Sequence, residues 1–262
     1  MDGSPQRLRI PARITILDAQ PLAQTPNPGP HAPATTRVSA VLEIVLCSGI
    51  PSQLALASIF ALAGFAPEPG QLSLSHVTSL LLLDAALVIG LIAWFLRRQG
   101  ERPVNVFLGS RPVKPEILLG IPLTAFVFVM AVVVLSVVRL IAPSLQNPDG
   151  NPFEQLLQTP TQALVLGIVA TISGGLREEI QRAFILHRFE QYLGGAYVGL
   201  VLYSLLFGLY HSFQGWDAVP ATAMLGAFWG AIYIARRSIV APVVSHSGFN
   251  AAEIFVYVLS RR

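Results

Sequence analysis

In the stretch GGLREEIQRAFILHRFE, residues 174–190, Glu178 and Arg182 stand four apart. That spacing puts them on one helix face, while Glu179 points about 100° away from Glu178. Two further polar stripes follow on apolar segments. FGLYHS sets Phe207 and His211 four apart, and SHSGFNAAE sets His246, Asn250 and Glu253 at i, i+4 and i+7. A carboxylate pair, an arginine, two histidines and an asparagine delivered from three apolar helices can do water chemistry. Burial raises the pKa of a carboxylate and a neighbouring arginine lowers it, so such a group can be poised as a general base near neutral pH. A histidine beside it can share the water or act as the acid. A second histidine with an asparagine NH2 can hold the oxyanion of a tetrahedral intermediate. Glu178, His211 and His246 are also a sufficient ligand set for zinc with one open position.

Each of these groups has a structural alternative. Glu178 with Arg182 can be a buried ion pair that only neutralises two charges in lipid, and each histidine taken singly can be an interhelix hydrogen-bonding residue. Phe207 reads as packing. Asp84, Glu43 and Glu253 lack a partner in sequence and read as structural or interfacial. His76 and His187 fall near span ends, where headgroup water can solvate them.

The elements that must position these groups are membrane spans. The 262 residues are 53% hydrophobic and only 12% charged, against about 25% charged in a soluble domain. On the ruler of about 20 apolar residues per crossing, seven stretches qualify: 39–64, 76–96, 115–142, 161–186, 194–213, 217–235 and 239–260. The expected fold is an all-α polytopic membrane bundle. Residues 1–36, with seven prolines and the run PLAQTPNPGPHAPATT, read as a disordered tail that includes a solvated His31, and residues 37–262 as the membrane domain. No apolar h-region follows Met1, so a signal peptide is not expected.

Basic residues set the orientation. Arg97, Arg98, Arg102, Arg111 and Lys114 share one loop, which the positive-inside rule places in the cytoplasm together with the N-terminus. Arg188, Arg236 and Arg237 agree with that assignment. Arg261 and Arg262 do not, which leaves an eighth span or a mis-split pair open. The small basic excess, 17 Lys and Arg against 14 acids, therefore reads as topology and not as a nucleic-acid surface. The single cysteine, Cys47, lies in an apolar run and excludes an intrachain disulfide.

The order of an EE pair with a downstream Arg, then FxxxH, then HxxxN, on successive helices resembles the CPBP family of intramembrane proteases. That family includes CAAX prenyl endopeptidases of the Rce1 type and the bacterial Abi and bacteriocin-immunity proteins. The resemblance covers about residues 160–255, with FxxxH at Phe207 and His211 and HxxxN at His246 and Asn250. The first motif departs from the family's EExxxR: Arg182 follows Glu178 by four positions, and Ala183 stands where the Arg is expected. In one register Glu178 and Glu179 are the family's pair, and the Arg is displaced unless a π-bulge absorbs a step. In the other, Glu178 and Arg182 keep the second-Glu-to-Arg spacing and Arg177 replaces the first Glu.

The resemblance implies an endopeptidase in which Glu and His activate water while the second His and Asn stabilise the oxyanion. The residues in question are Glu178, Glu179, Arg182, His211, His246 and Asn250, with Glu178 favoured as base and Glu179 as the group that orients the histidine. Its substrate would be a membrane-anchored or lipidated peptide or protein. No cofactor is expected, and a divalent metal such as zinc stays open as an alternative. A non-catalytic membrane protein of the same fold, serving immunity, scaffolding or small-solute or ion binding, is the rival reading. One difficulty is visible in the sequence. Counted from the expected span ends, Glu178 lies towards the inside of the fourth span and His211 towards the outside of the fifth.

Overall fold

The computed structural model describes residues 34–67, 71–147 and 150–260. The tail reading lies outside the described residues up to position 33, and the chain is already helical from Ala34. Among the described residues all regular structure is helical. The helices are α1 (Ala34–Leu46), α2 (Ile50–Leu62), α3 (Leu74–Arg98), the short α4 (Pro103–Phe107), α5 (Val113–Ile141), α6 (Pro160–Ala170), α7 (Glu179–Tyr192), α8 (Ala196–Tyr210), α9 (Ala218–Arg236) and α10 (Val240–Ser260). A π-helical segment, Thr171–Glu178, joins α6 to α7.

Four stretches are long and apolar enough to cross a membrane: Leu74–Arg98, Val113–Ile141, Ala196–Gln214 and Ala218–Arg236. The pair Thr36–Leu46 and Ile50–Leu62, bent by 43°, makes a fifth if it counts as one span. The bend has a local cause. Gly49 sits at φ 86 and Pro51 opens the next helix, so the chain turns where only glycine adopts the angle freely. A Cβ at position 49 would also stand 2.0 Å from Nη2 of Arg177. α6 and α7, which flank the π segment, are 11 and 14 residues long, each too short to cross a membrane alone.

Lipid tails are as apolar as leucine, so packing and polar pairing between helices hold such a bundle together. α7 shows this most clearly. Ala183, Phe184, Ile185 and Leu186 are buried with Val88, Ile92 and Leu96 of α3 and Tyr233 of α9, while Arg182 and Arg188 of the same helix are completely buried. A helix enclosed on every side carries no amphipathic period. Its charges need partners in other helices, and they have them: Arg188 pairs with Glu43 of α1 at 2.7 Å and with Glu101 at 2.7 Å, and His187 contacts the same Glu101 at 2.8 Å. Glu43, set down as partnerless from sequence, is thus bound to a residue 145 positions away.

The fourth helix runs to Tyr192, six residues past the expected end at 186. The buried pairs of His187 and Arg188 explain the extension, because those side chains face the bundle and not headgroup water. The longer helix changes the depth count made from the expected span ends. Gly195 N–H donates to Phe189 O, so α7 and α8 meet at one end. Measured back from there at about 1.5 Å per residue, Glu178 and His211 each lie roughly 20 Å along their helices.

That end gathers the basic residues. Arg237 pairs with Glu190 and Arg236 with Glu116, Arg111 donates to Arg236 O, and Ile239 N–H donates to Phe107 O. At the opposite end of α5 and α9, Arg139 and Asp217 pair at 2.8 Å. Glu101 gives the basic cluster a pH signature. Burial pushes its carboxyl up, but the hydrogen bond and charge of His187 together with Arg188 outweigh that and hold it at about 2 instead of 4.5. A carboxylate depressed by folding stabilises the protein above its unfolded value, and the contribution is lost as pH falls through the folded one. The thermal midpoint in detergent should therefore drop between about pH 4.5 and pH 2, and Glu101→Gln should flatten that part of the profile. An equal slope in the variant would refute the assignment.

Candidate active site

The site forms where α10 crosses the π segment and the start of α7. Glu179, almost fully buried, accepts from Nδ1 of His246 at 2.8 Å and from Nη1 of Arg182. An ionised carboxylate only accepts, so this bond places an imidazole proton on Nδ1. Nε2 faces Glu178, whose Oε2 is 3.8 Å away. That separation is too long for a direct hydrogen bond. The imidazole is stacked on Trp229 at 3.8 Å between centroids and 14° between planes, and the indole N–H donates to Ser245. The ring is therefore fixed in tilt.

The i, i+4 pairing of Glu178 with Arg182 expected from sequence is corrected here. Arg182 pairs with Glu179 at i, i+3, because three-residue spacing also shares a face and Glu179 is the member of the pair turned towards α10. Arg182 is completely buried, with its guanidinium 4.8 Å from the ring of Phe207, 5.6 Å from that of Trp229 and 5.7 Å from that of Tyr203. Phe207 is thus packing of a particular kind, an aromatic face over a buried cation.

Asn250 donates from Nδ2 to Ala170 O at 3.1 Å, at the entry to the π segment. The close approach depends on Gly174. A Cβ there would stand 2.4 Å from Nδ2 of Asn250 and 3.7 Å from Nε2 of His246. The π segment that absorbs a helical step lies here, over TISGGLRE, and such segments often mark functional sites. Gly174→Ala should push the Asn250 amide off Ala170. The expected stability loss is about 1–3 kcal/mol, and the expected fall in any catalytic rate is up to about 10²-fold. A wild-type rate in the purified variant would remove Asn250 from the site.

His211 stands apart from this group. It is the C-cap of α8, its Nδ1 donates to Phe207 O at 2.8 Å, and its ring packs on Phe207 at 4.6 Å. Among the described residues no hydrogen bond or ion pair ties it to Glu178, Glu179 or His246. The conditional metal set of Glu178, His211 and His246 is likewise not gathered, for among the described residues no three His, Cys, Asp or Glu groups come close enough to hold an ion.

Two partners had no signal in sequence. Trp229 lies in α9, which carries no motif. Asp84 of α3 pairs with Arg177 at 2.7 Å, with Ser52 and Gln53 of α2 also on its carboxylate. Arg177 further donates to Gln181 at 3.0 Å. Glu253 is exposed on α10, with no hydrogen bond or ion pair among the described residues, and His76 contacts Phe65 O at 3.0 Å.

The fold and this site define a helical membrane protein in which a buried Glu–Arg pair orients a histidine beside a second carboxylate. Residues 160–252 match the family model described as Rce1-like, type II CAAX prenyl endopeptidase Rce1-like. The matched segment carries Glu178, Glu179, Arg182, Trp229, His246 and Asn250. No curated protein and no solved structure matches the chain.

Proposed function

We propose that the chain is an intramembrane endopeptidase of the CAAX-protease kind, with seven spans and its basic end facing the cytoplasm. The observation that carries the reading is the 3.8 Å gap between Glu178 Oε2 and His246 Nε2, with Nδ1 held by Glu179. A water seated against both groups meets two bases at once. Its proton passes to Glu178 or His246 as its oxygen bonds to the peptide carbonyl carbon. The same proton then reaches the leaving nitrogen as the C–N bond breaks. Arg182 pairs with Glu179, and Glu179 in turn keeps His246 oriented.

Asn250 spends one amide hydrogen on Ala170 and has the other for the oxyanion. His211, whose Nδ1–H is committed to Phe207, can join it only through a protonated Nε2. An apolar groove of about 460 Å³ between α6 and α10, lined by Gly167, Thr171 and Ala251 among others, runs beside this point. Its walls suit an apolar, membrane-anchored or lipidated substrate.

The rival reading, a non-catalytic membrane protein of the same fold, draws on the number of charges in the motif that are used up in buried pairs: Arg177 with Asp84, Arg188 with Glu43. Purified protein assayed on a panel of membrane-anchored peptides, with and without a chelator, separates the two. Cleavage supports the protease. Absence of cleavage across the panel by folded protein supports the rival, and loss of activity with chelator would bring a metal into the mechanism.

A further inference from the structure

Another cavity lies between α1 and α3 at the basic end, with a volume of about 370 Å³ and no residue in common with this site. The two helices run antiparallel along it, and its lining is graded. Ser39, Arg98 and Gln99 occupy the outer end, whereas Leu42, Leu46 and Phe95 line the part nearer the bilayer centre. The guanidinium of Arg98 sits 5.2 Å over the ring of Trp94. Trp94 is half exposed, as indoles at the headgroup level commonly are.

The charges here do not balance. Glu43, which also lines the groove, is neutralised by Arg188 at 2.7 Å and bound by Gln99 at 2.6 Å. Glu101 is taken by His187 and Arg188. Among the described residues no carboxylate is in ion-pair range of Arg97, Arg98 or Arg102, and all three are exposed. A cationic rim above an apolar trough calls for one molecule that is anionic at one end and aliphatic at the other.

We propose that this groove binds an anionic phospholipid from the surrounding leaflet, its phosphate on Arg98 and one acyl chain along Leu42, Leu46 and Phe95. The site needs nothing from the catalytic chemistry, so it stands whether or not the chain is a protease. A zwitterionic lipid would bring a second positive charge to the rim, and a free phosphate would leave the trough uncovered.

The test is native mass spectrometry of full-length protein released from nanodiscs of mixed phosphatidylglycerol and phosphatidylcholine. Wild-type protein should retain phosphatidylglycerol selectively. Arg98→Gln should weaken retention about fivefold, the effect of removing one cation near a charged headgroup. Arg102→Gln, a cation outside the groove, should weaken it much less. Arg98 makes no ion pair, so its substitution leaves the fold intact, which the thermal midpoint checks. Equal retention of the two lipids, equal effects of the two substitutions, or displacement of the lipid by inorganic phosphate alone would each overturn the site.

Discussion

Glu178→Gln is expected to cleave at least about 10²-fold more slowly than the wild-type chain, the usual scale for losing a positioned general base, with little change in thermal midpoint. The two halves of that expectation rest on different observations. The carboxylate lies 3.8 Å from His246 Nε2, so a glutamine there keeps the shape and loses the proton acceptor. Among the described residues it has no hydrogen-bonding partner, and it keeps 13% of its side chain exposed, so the fold loses little. Glu179→Gln should behave in the opposite way. It leaves Arg182, completely buried, without its counter-charge, and should lower stability by about 3–5 kcal/mol. His246→Ala and Asn250→Ala should each be severe, and the combination should cost far less than the sum, because groups acting as a unit are lost together. His211→Ala, at a residue apart from that unit, tests whether it joins the oxyanion site. A wild-type rate for Glu178→Gln alongside a folded but dead Glu179→Gln would transfer the base to Glu179. Activity in both would end the hydrolase reading.

How much of this could be read from residues alone depended on whether an interaction is local. Helix positions followed from apolar runs, and all seven expected stretches coincide with helices or helix pairs. Local i, i+4 logic failed at Arg182, where two candidate carboxylates lay within one turn and only the packing of α10 decides between them. The π segment could be named as a device but not located, since the preference of TISGGLRE for an extra step depends on α10 closing onto Gly174. Partners such as Asp84 for Arg177, 93 positions apart, and Glu43 for Arg188 left no trace in spacing. The helix end at Tyr192 was missed for the same reason. A charged run looks like a loop until its counter-charges are known.

The Asp84–Arg177 pair yields the largest stability effect expected outside the site. Asp84 is completely buried and Arg177 nearly so. Their 2.7 Å contact is surrounded by Ser52 and Gln53 from α2 and Gln181 from α7. Asp84→Asn keeps the shape and removes the charge, stranding a guanidinium that already has one unbonded nitrogen, Nε. Such a break costs about 3–5 kcal/mol, whereas replacing both partners with apolar groups of similar volume is often close to neutral. Asp84→Leu combined with Arg177→Met should therefore recover most of the loss, since Ser52 keeps Gly49 O as an acceptor. Unfolding in detergent of the two single variants and the double one measures this. Additive destabilisation, with the double variant worst, would show that the pair is not a closed unit. The double variant also decides between the two registers of the acidic motif. In the second register Arg177 takes the place of the family's first Glu, yet its side chain ends on Asp84 and Gln181 and, among the described residues, makes no hydrogen bond or ion pair with His246. Peptide cleavage by the double variant at close to the wild-type rate is the result that fits this geometry. Loss of cleavage with the fold retained would give Arg177 a part in the chemistry.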